Sequence, residues 1–287
     1  MKTDGRTRTC GLIGNPVEHT LSPVIHNTLA EDFSHNLVYV PFRVEAERVG
    51  DAVKGAYALN ILGCNVTVPH KSAVIPYLKE IDPMAEKIGA VNTLVRTEGG
   101  FKGYNTDLPG LYRAMVSDGV KIKGEQILML GAGGVARAAA MLMADKGARR
   151  IVIINRTVEK AQALADEIGK FYPDVILEAA GLDELSRFSE KKAYLAIQAT
   201  NIGMYPKCEE TLISNPQFYE AVHTGYDMIF NPADTRFMQL VREHGGKAYN
   251  GLKMLLYQGV IAYELWNQVQ VSDSQAERIY EKMKQNG

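Results

Sequence analysis

Charge of one sign is nearly absent from this sequence: 32 Lys and Arg stand against 33 Asp and Glu, a formal net charge of −1. Such a balance gives no basic field for nucleic acid or an anionic membrane, so neither is expected as a partner and a small molecule is. Cysteine is scarce. Cys10, Cys64 and Cys208 are odd in number and far apart, which excludes a disulfide framework and a metal-binding spacing, so no metal site is expected. No window reaches the length and apolarity of a membrane span. The polar stretch from Met1 to Cys10 lacks the apolar core of an export signal, and a cytoplasmic protein is expected. Internal repeats and low-complexity segments are missing too. What remains is ordinary core-forming material, 46% apolar residues in a chain of 287, enough for two domains. No unpaired apolar face stands out, which leaves monomer and homodimer both open.

Apolar runs alternate with helical stretches along the chain. Residues 10–14 read as a strand, 23–33 as a helix, 37–44 as a strand, 47–59 as a helix and 65–68 as a strand. A helix is expected at 72–81, then a strand pair across 91–104 turned at Glu98-Gly99-Gly100. A second series opens at Gln126-Ile127-Leu128-Met129-Leu130, a continuous apolar run suited to a parallel strand buried on both faces. An alanine-rich helix to about Lys146 and a strand at 150–154 follow it. Later strands are expected at 193–198, 225–229 and 247–249, with a helix at 235–244. Helices at 252–268 and 272–284 should return to the first domain. The fold class is therefore α/β in two domains, residues 1–106 plus 251–287 and a Rossmann-type domain at 107–250.

The second series carries Gly131-Ala132-Gly133-Gly134-Val135-Ala136 between its first strand and helix. Glycines also mark ordinary turns, but a GxGxxA string placed there is a dinucleotide fingerprint. Gly131 permits the tight turn, Gly133 lets a pyrophosphate approach the helix end, and Ala136 allows close helix–strand packing. After the next strand stands Asn155-Arg156-Thr157 instead of the Asp or Glu that accepts from an NAD ribose. Arg156 can pair with a 2′-phosphate, with Asn155 and Thr157 as neutral donors and Lys160 one helical turn away. Arg156 and Lys160 taken singly are common surface charges; with the acid missing, the group favours NADP over NAD.

In the first series, Asn65-Val66-Thr67-Val68-Pro69-His70-Lys71 puts an amide, a hydroxyl and an amine on one segment, with Asn65 and Thr67 on one face of a strand. A solvated edge strand with a turn at Pro69 reads equally well from this segment alone. Four more segments pair polar groups with glycine or proline: 14–23, 90–93, 103–107 and Tyr257-Gln258. Each has an ordinary reading. Ser22-Pro23 suits a helix start, Asn105 to Asp107 can cap a helix at Leu108, and Gln258 can be a solvated helix residue. Together they are what a polyhydroxylated ring needs, since each buried substrate hydroxyl must find a partner.

The strings GNPVEHTLSPVIHN at 14–27, NVTVPHK at 65–71, AVNTL at 90–94, GYNTD at 103–107, GAGGVARA at 131–138, NRT at 155–157 and QGV from Gln258 resemble, in order and over nearly the whole chain, the shikimate dehydrogenase family. The resemblance implies a cytoplasmic enzyme of aromatic amino-acid biosynthesis. It would reduce 3-dehydroshikimate to shikimate with NADPH, between an N-terminal substrate-binding domain and a C-terminal NADP-binding domain. It further implies that Lys71 and Asp107 are the catalytic pair, that Thr20 and Ser22 hold the substrate carboxylate, and that Asn65, Thr67, Asn92 and Gln258 surround the ring hydroxyls. Thr200, in the segment beginning at Gln198, would lie beside the nicotinamide, and Tyr226, Met228 and Gly251 would line the cleft. Three departures stand out. Thr20 replaces a commoner serine and adds a methyl group, which bears on whether quinate is also accepted; Gln198 replaces an asparagine; and Lys253 replaces a glycine, as a solvated residue or as a charge over the cofactor entrance. A quinate/shikimate dehydrogenase using both NAD and NADP is the alternative enzyme. A ligand-sensing regulator on the same scaffold would be expected to lack Lys71 or Asp107.

Overall fold

In chain order the elements are β1 (Arg8–Gly14), α1 (Ser22–Asp32), β2 (Leu37–Arg43), α2 (Val49–Ala58), β3 (Gly63–Val66), β4 (Glu80–Ile81), α3 (Pro83–Ile88), β5 (Thr93–Thr97), β6 (Gly100–Tyr104) and α4 (Asp107–Ser117). There follow β7 (Gln126–Leu130), α5 (Gly134–Asp145), β8 (Arg150–Ile154), α6 (Val158–Gly169), β9 (Ile176–Ala180), β10 (Tyr194–Gln198), α7 (Pro216–Ala221), β11 (Val222–Asp227), α8 (Arg236–Glu243), β12 (Lys247–Tyr249), α9 (Leu252–Asn267) and α10 (Asp273–Asn286). This computed structural model describes residues 3–286. The chain forms two compact units, one running up to Gly110 and resuming at Leu255, the other Leu111–Met254. Both junctions fall inside helices, α4 and α9, a few residues beyond the limits expected from the sequence.

The first unit holds a six-stranded sheet in the order β2-β1-β3-β5-β6-β4. β2, β1 and β3 run parallel, and β5 pairs antiparallel with β3 and β6. One layer of its core joins Ile13, Val49, Val53, Cys64, Val66 and Leu94. α9 closes on β3 because Gly63 has no side chain: a Cβ there would overlap the indole of Trp266, whose Nε1 donates to the Leu94 carbonyl at 2.9 Å.

The second unit is an all-parallel sheet, β12-β11-β10-β7-β8-β9. That is the doubly wound dinucleotide-binding order, whose direction reverses between β7 and β10, and ligands of such sheets sit beyond the strand C-termini at this switch point. Residues 127–130 and 151–154 are completely buried, as an apolar run in a parallel strand requires.

One local expectation fails. No helix spans 72–81: Pro76 cannot continue one, and the segment forms a 3-10 turn over Ile75–Tyr77 and the short β4. The helix comes later, as α3, where the Asp82 carboxylate accepts from the amides of Met84 and Ala85 and Pro83 opens the first turn. β9, for which no element was expected, is a half-solvated edge strand whose Ile176 is exposed. Arg150 on β8 pairs in bidentate fashion with its Glu178, at 2.8 and 2.9 Å.

Candidate active site

Two turns and two strand ends of the first unit bring the polar segments together. After β3 the chain leaves the sheet at Thr67, with Thr67 N still donating to Ile13 O at 2.9 Å, and turns so that His70 N donates to Thr67 O. His70 is buried, its Nε2 2.8 Å from the Val44 carbonyl, which pins the turn beside Lys71. Lys71 Nζ donates to Asp107 Oδ2 at 2.6 Å. Asp107 opens α4, its own amide donating to Asn105 Oδ1 at 3.0 Å and its Oδ1 accepting from Asn92 Nδ2 at 2.8 Å. Lysine and aspartate side chains are 33% and 23% exposed, so the pair is open to a ligand yet shielded enough to hold one geometry.

Thr20 and Ser22 face each other, Thr20 Oγ1 donating to Ser22 Oγ at 3.1 Å. Helix α1 begins at Ser22 with Leu21 as its cap and no side-chain capping bond. The Ser22 hydroxyl is therefore not a cap, and pairs with Thr20 instead. Thr67 is half-buried. Gln258 on α9 is 8% exposed, its Nε2 donating to Leu255 O at 2.8 Å, which excludes a solvated helix position. Asn65 differs from the expectation of a hydroxyl contact. It is buried, Oδ1 accepts from Tyr39 Oη (2.9 Å) and lies 3.1 Å from His26 Nε2, and Nδ2 donates to Asn92 O (3.3 Å) and Thr93 Oγ1 (3.2 Å). An amide has four hydrogen-bonding positions, and the protein takes all of them.

In the second unit Gly131 adopts φ +110°, and a Cβ there would come within 2.9 Å of the Thr200 methyl. Gly133 and Gly134 are exposed, and a Cβ on either would meet nothing within 4 Å. Ala132 is half-buried, Val135 exposed and Ala136 buried against the sheet. No side chain caps the first turn of α5, so its amides are available to an anion. Beyond β8, Asn155 Nδ2 donates to Thr157 O at 2.9 Å and shapes the turn. Arg156, Thr157 and Lys160 are exposed. The side chains of Arg156 and Lys160 join no ion pair or hydrogen bond among the described residues. An open glycine loop, a helix N-terminus without a side-chain cap and two exposed cations after a strand that ends on Asn155 instead of an acid fit NADP.

The other expected cofactor contacts lie along β10 and β11. Gln198 is buried, and its Oε1 accepts from the Thr200 amide (2.9 Å) and hydroxyl (2.8 Å) while its Nε2 donates to Ile202 O at 3.0 Å. The departure at Gln198 thus folds the Thr200 turn. Met228 is half-buried, its amide donating to Gln198 O at 2.9 Å. Gly251 is buried where a Cβ would overlap the Met228 carbonyl. Tyr226 is wholly buried in β11 and stacks on Tyr249, so as placed it offers no surface to a substrate. Lys253 corrects both readings of it: its side chain is 15% exposed and pairs with Asp118 at 2.8 Å, tying α9 to the end of α4.

Residues 12–94 match the family model described as shikimate dehydrogenase substrate binding domain, and 114–200 match shikimate / quinate 5-dehydrogenase. Shikimate dehydrogenase (NADP(+)) of Desulforamulus reducens is 41% identical over 266 residues, 92% of this chain and 91% of that protein. The chain belongs to the shikimate dehydrogenase family. The two-unit architecture agrees: a shikimate dehydrogenase solved with NADP+ superposes with a TM-score of 0.85 at 38% identity, over 98% of this chain and 97% of that one. The Listeria monocytogenes shikimate 5-dehydrogenase, solved with shikimate and NAD, gives 0.88 at 31%, over 99% and 98%.

Within this family frame the sequence strings locate the ligand-facing groups but not those behind them. His26, Tyr39, Thr93 and Thr106 are buried polar residues, Thr93 and Thr106 bonded to Asn92 and His26 and Tyr39 to Asn65. The second unit has a buried polar residue of its own in Asp227, whose carboxyl accepts from Thr235 Oγ1 (2.6 Å) and Ile229 N (2.9 Å) while burial pushes its pKa up to about 6. Their only sequence signal is a polar residue inside an otherwise apolar strand or helix.

Proposed function

We propose that the protein interconverts 3-dehydroshikimate and shikimate with NADP. The observation that carries this is the Lys71, Asp107 and Asn92 cluster, a cation held at 2.6 Å by a carboxylate that is itself oriented at 2.8 Å by an amide. NADPH, when bound, supplies the hydride. The oxygen that becomes an alkoxide then needs a proton, and Lys71 Nζ carries one that Asp107 keeps aimed. In oxidation Lys71 takes the proton from the substrate hydroxyl. The Thr20 and Ser22 hydroxyls, 3.1 Å apart, can both turn their protons to one carboxylate, and Thr67, Asn92 and Gln258 meet ring hydroxyls. The amides from Gly131 to Ala136 hold the pyrophosphate. Arg156 and Lys160, with Asn155 and Thr157, receive the 2′-phosphate, and Thr200, Met228 and Gly251 take the nicotinamide end. The free thiols of the buried Cys10 and Cys64 support a cytoplasmic setting, and the net charge of −1 supports a small-molecule partner for a monomer or homodimer.

Steady-state turnover with shikimate and quinate, each with NADP and NAD, tests the reading: the shikimate–NADP pair should give the highest kcat/KM. Quinate or NAD turning over within tenfold of it would favour the broader quinate/shikimate dehydrogenase. Lys71→Ala should lower kcat by about 10²–10⁴-fold and leave the NADP dissociation constant, by calorimetry, unchanged. Equal loss of both would remove Lys71 from the chemistry.

A further inference from the structure

The buried polar groups behind the catalytic pair form one connected chain with a single direction. Its outer end is Asp107, a carboxylate and so only an acceptor toward Asn92. Asn92 must therefore present Nδ2 to Asp107, at 2.8 Å, and turn Oδ1 inward. There Oδ1 accepts from Thr106 N at 2.7 Å and lies 3.1 Å from the hydroxyls of Thr106 and Thr93. With its proton on Asn92, Thr93 Oγ1 is an acceptor toward Asn65, which gives it Nδ2 at 3.2 Å. Asn65 Oδ1 then faces the other way, toward Tyr39 Oη at 2.9 Å and His26 Nε2 at 3.1 Å. Both of those must be donors, so His26 is the neutral ring protonated on Nε2, stacked on Tyr39 with centroids 4.1 Å apart.

Reversing any one amide would set oxygen against oxygen at the next link, and in a buried site each such mismatch costs on the order of 1–3 kcal/mol. Strand register lines these residues up. Asn65 on β3 is directly opposite Thr93 on β5, and Thr106 follows β6, the next strand over. His26, Asn65, Asn92, Thr93 and Thr106 are all buried, so water cannot stand in for a missing partner. Among the described residues the His26 ring has no other hydrogen bond, its Nδ1 being unpartnered. Burial also drives its pKa down to about 3, which keeps it in the one protonation state the chain requires.

We propose that Thr93, Asn65, Tyr39 and His26 are positioning residues of the oxidoreductase reaction. Touching no substrate, they fix which way the Asn92 amide points and so hold Asp107 against Lys71. This deepens the reading of Lys71 and Asp107 as the catalytic pair and rests on it. Thr93→Val keeps the shape and removes the hydroxyl. It should lower kcat about tenfold or more while the KM for NADP stays within twofold, and Thr93→Ser should restore kcat to within about threefold of the wild type. A residue that only filled space would show the reverse order, valine being the closer isostere. Tyr39→Phe, which leaves His26 as the only donor to Asn65, should lower kcat severalfold with the same cofactor KM, and it decides the matter alone if Thr93→Val does not fold. Wild-type kcat in folded Thr93→Val, or in Tyr39→Phe, overturns the proposal while a low kcat in Lys71→Ala leaves the catalytic pair standing. Wild-type kcat in Lys71→Ala overturns the catalytic pair itself, and this inference with it.

Discussion

The two units treat polar groups in opposite ways. In the first, the side chains around Lys71 are bonded to one another: every hydrogen-bonding position of Asn65 is engaged inside the protein, and Asn92 is held by Asp107 at one end and by Thr93 and Thr106 at the other. In the second, the cofactor segment is almost without side chains. Gly133 and Gly134 face open space, and Arg156 and Lys160 stand exposed and unpaired among the described residues. The difference follows from the tasks. Proton transfer requires one group held in one orientation before the ligand arrives. An anion can be caught by backbone amides and mobile cations that adjust to it.

The contrast has consequences that can be measured. The largest is at Asp107. Asp107→Asn leaves the Asn92 amide facing a second amide and Lys71 without a counter-charge, so kcat should fall by about 10³-fold with unaltered NADP affinity; a cofactor affinity that fell in step would show that the two sites are not separable. Stability should separate the units next, by pH. His26, depressed to about 3, binds fewer protons folded than unfolded between that value and its ordinary 6.5, so its contribution is lost as pH falls below 6.5, by roughly 2 kcal/mol at pH 5. Asp227, raised to about 6, binds more protons folded than unfolded between 3.8 and 6, so its contribution is greatest in acid and lost as pH rises through 6, by roughly 2–3 kcal/mol. Urea unfolding of His26→Asn and Asp227→Asn against the wild type should show the first variant gaining on the wild type as pH drops from 7 to 5. The second should gain as pH rises from 4 to 6.5. Parallel trends would refute one assignment.

Smaller effects belong to the cofactor segment. Gly131→Ala forces a side chain to φ +110° against Thr200, a strain of about 1–3 kcal/mol. It should weaken NADPH binding about tenfold in calorimetry and hardly move kcat at saturation. Arg156→Ala, the mildest, should raise the KM for NADPH by about tenfold and leave that for NADH alone. Equal effects on both cofactors would take the 2′-phosphate away from Arg156.

Elements with a strong period and groups with local neighbours were legible in the sequence. β7, β8 and the glycine loop between β7 and α5 announce themselves over about a dozen residues, because a strand buried on both faces has to be continuously apolar. The strings at 65–71 and 103–107 likewise contain Lys71 and Asp107 outright. The chain behind them was not readable, because its members other than the adjacent Thr93 lie 14 residues or more from Asn92 in sequence and meet it only through pairings of β1, β2, β3, β5 and β6 that no local pattern encodes. Asn65 shows the limit well: its amide suits a substrate hydroxyl as much as a buried junction, and only the register opposite Thr93 decides. β4 and α3 were missed for a different reason, since the signals at Pro76 and Asp82-Pro83 are present but were outweighed by the apolar run beside them.

Gly63 and Trp266 carry a last consequence, for the order in which the molecule is built. The indole that lies over Gly63 and bonds to Leu94 belongs to α9, and the ribosome makes it only after every residue of the second unit. Domains fold as units while the chain is being made. The second unit, although it comes later in the sequence, is complete in itself at Met254. The sheet that leads to Lys71 must wait with one face covered only in part, by α1, until residues 255–286 emerge, so the dinucleotide-binding half of the molecule can be finished before the half that holds the substrate.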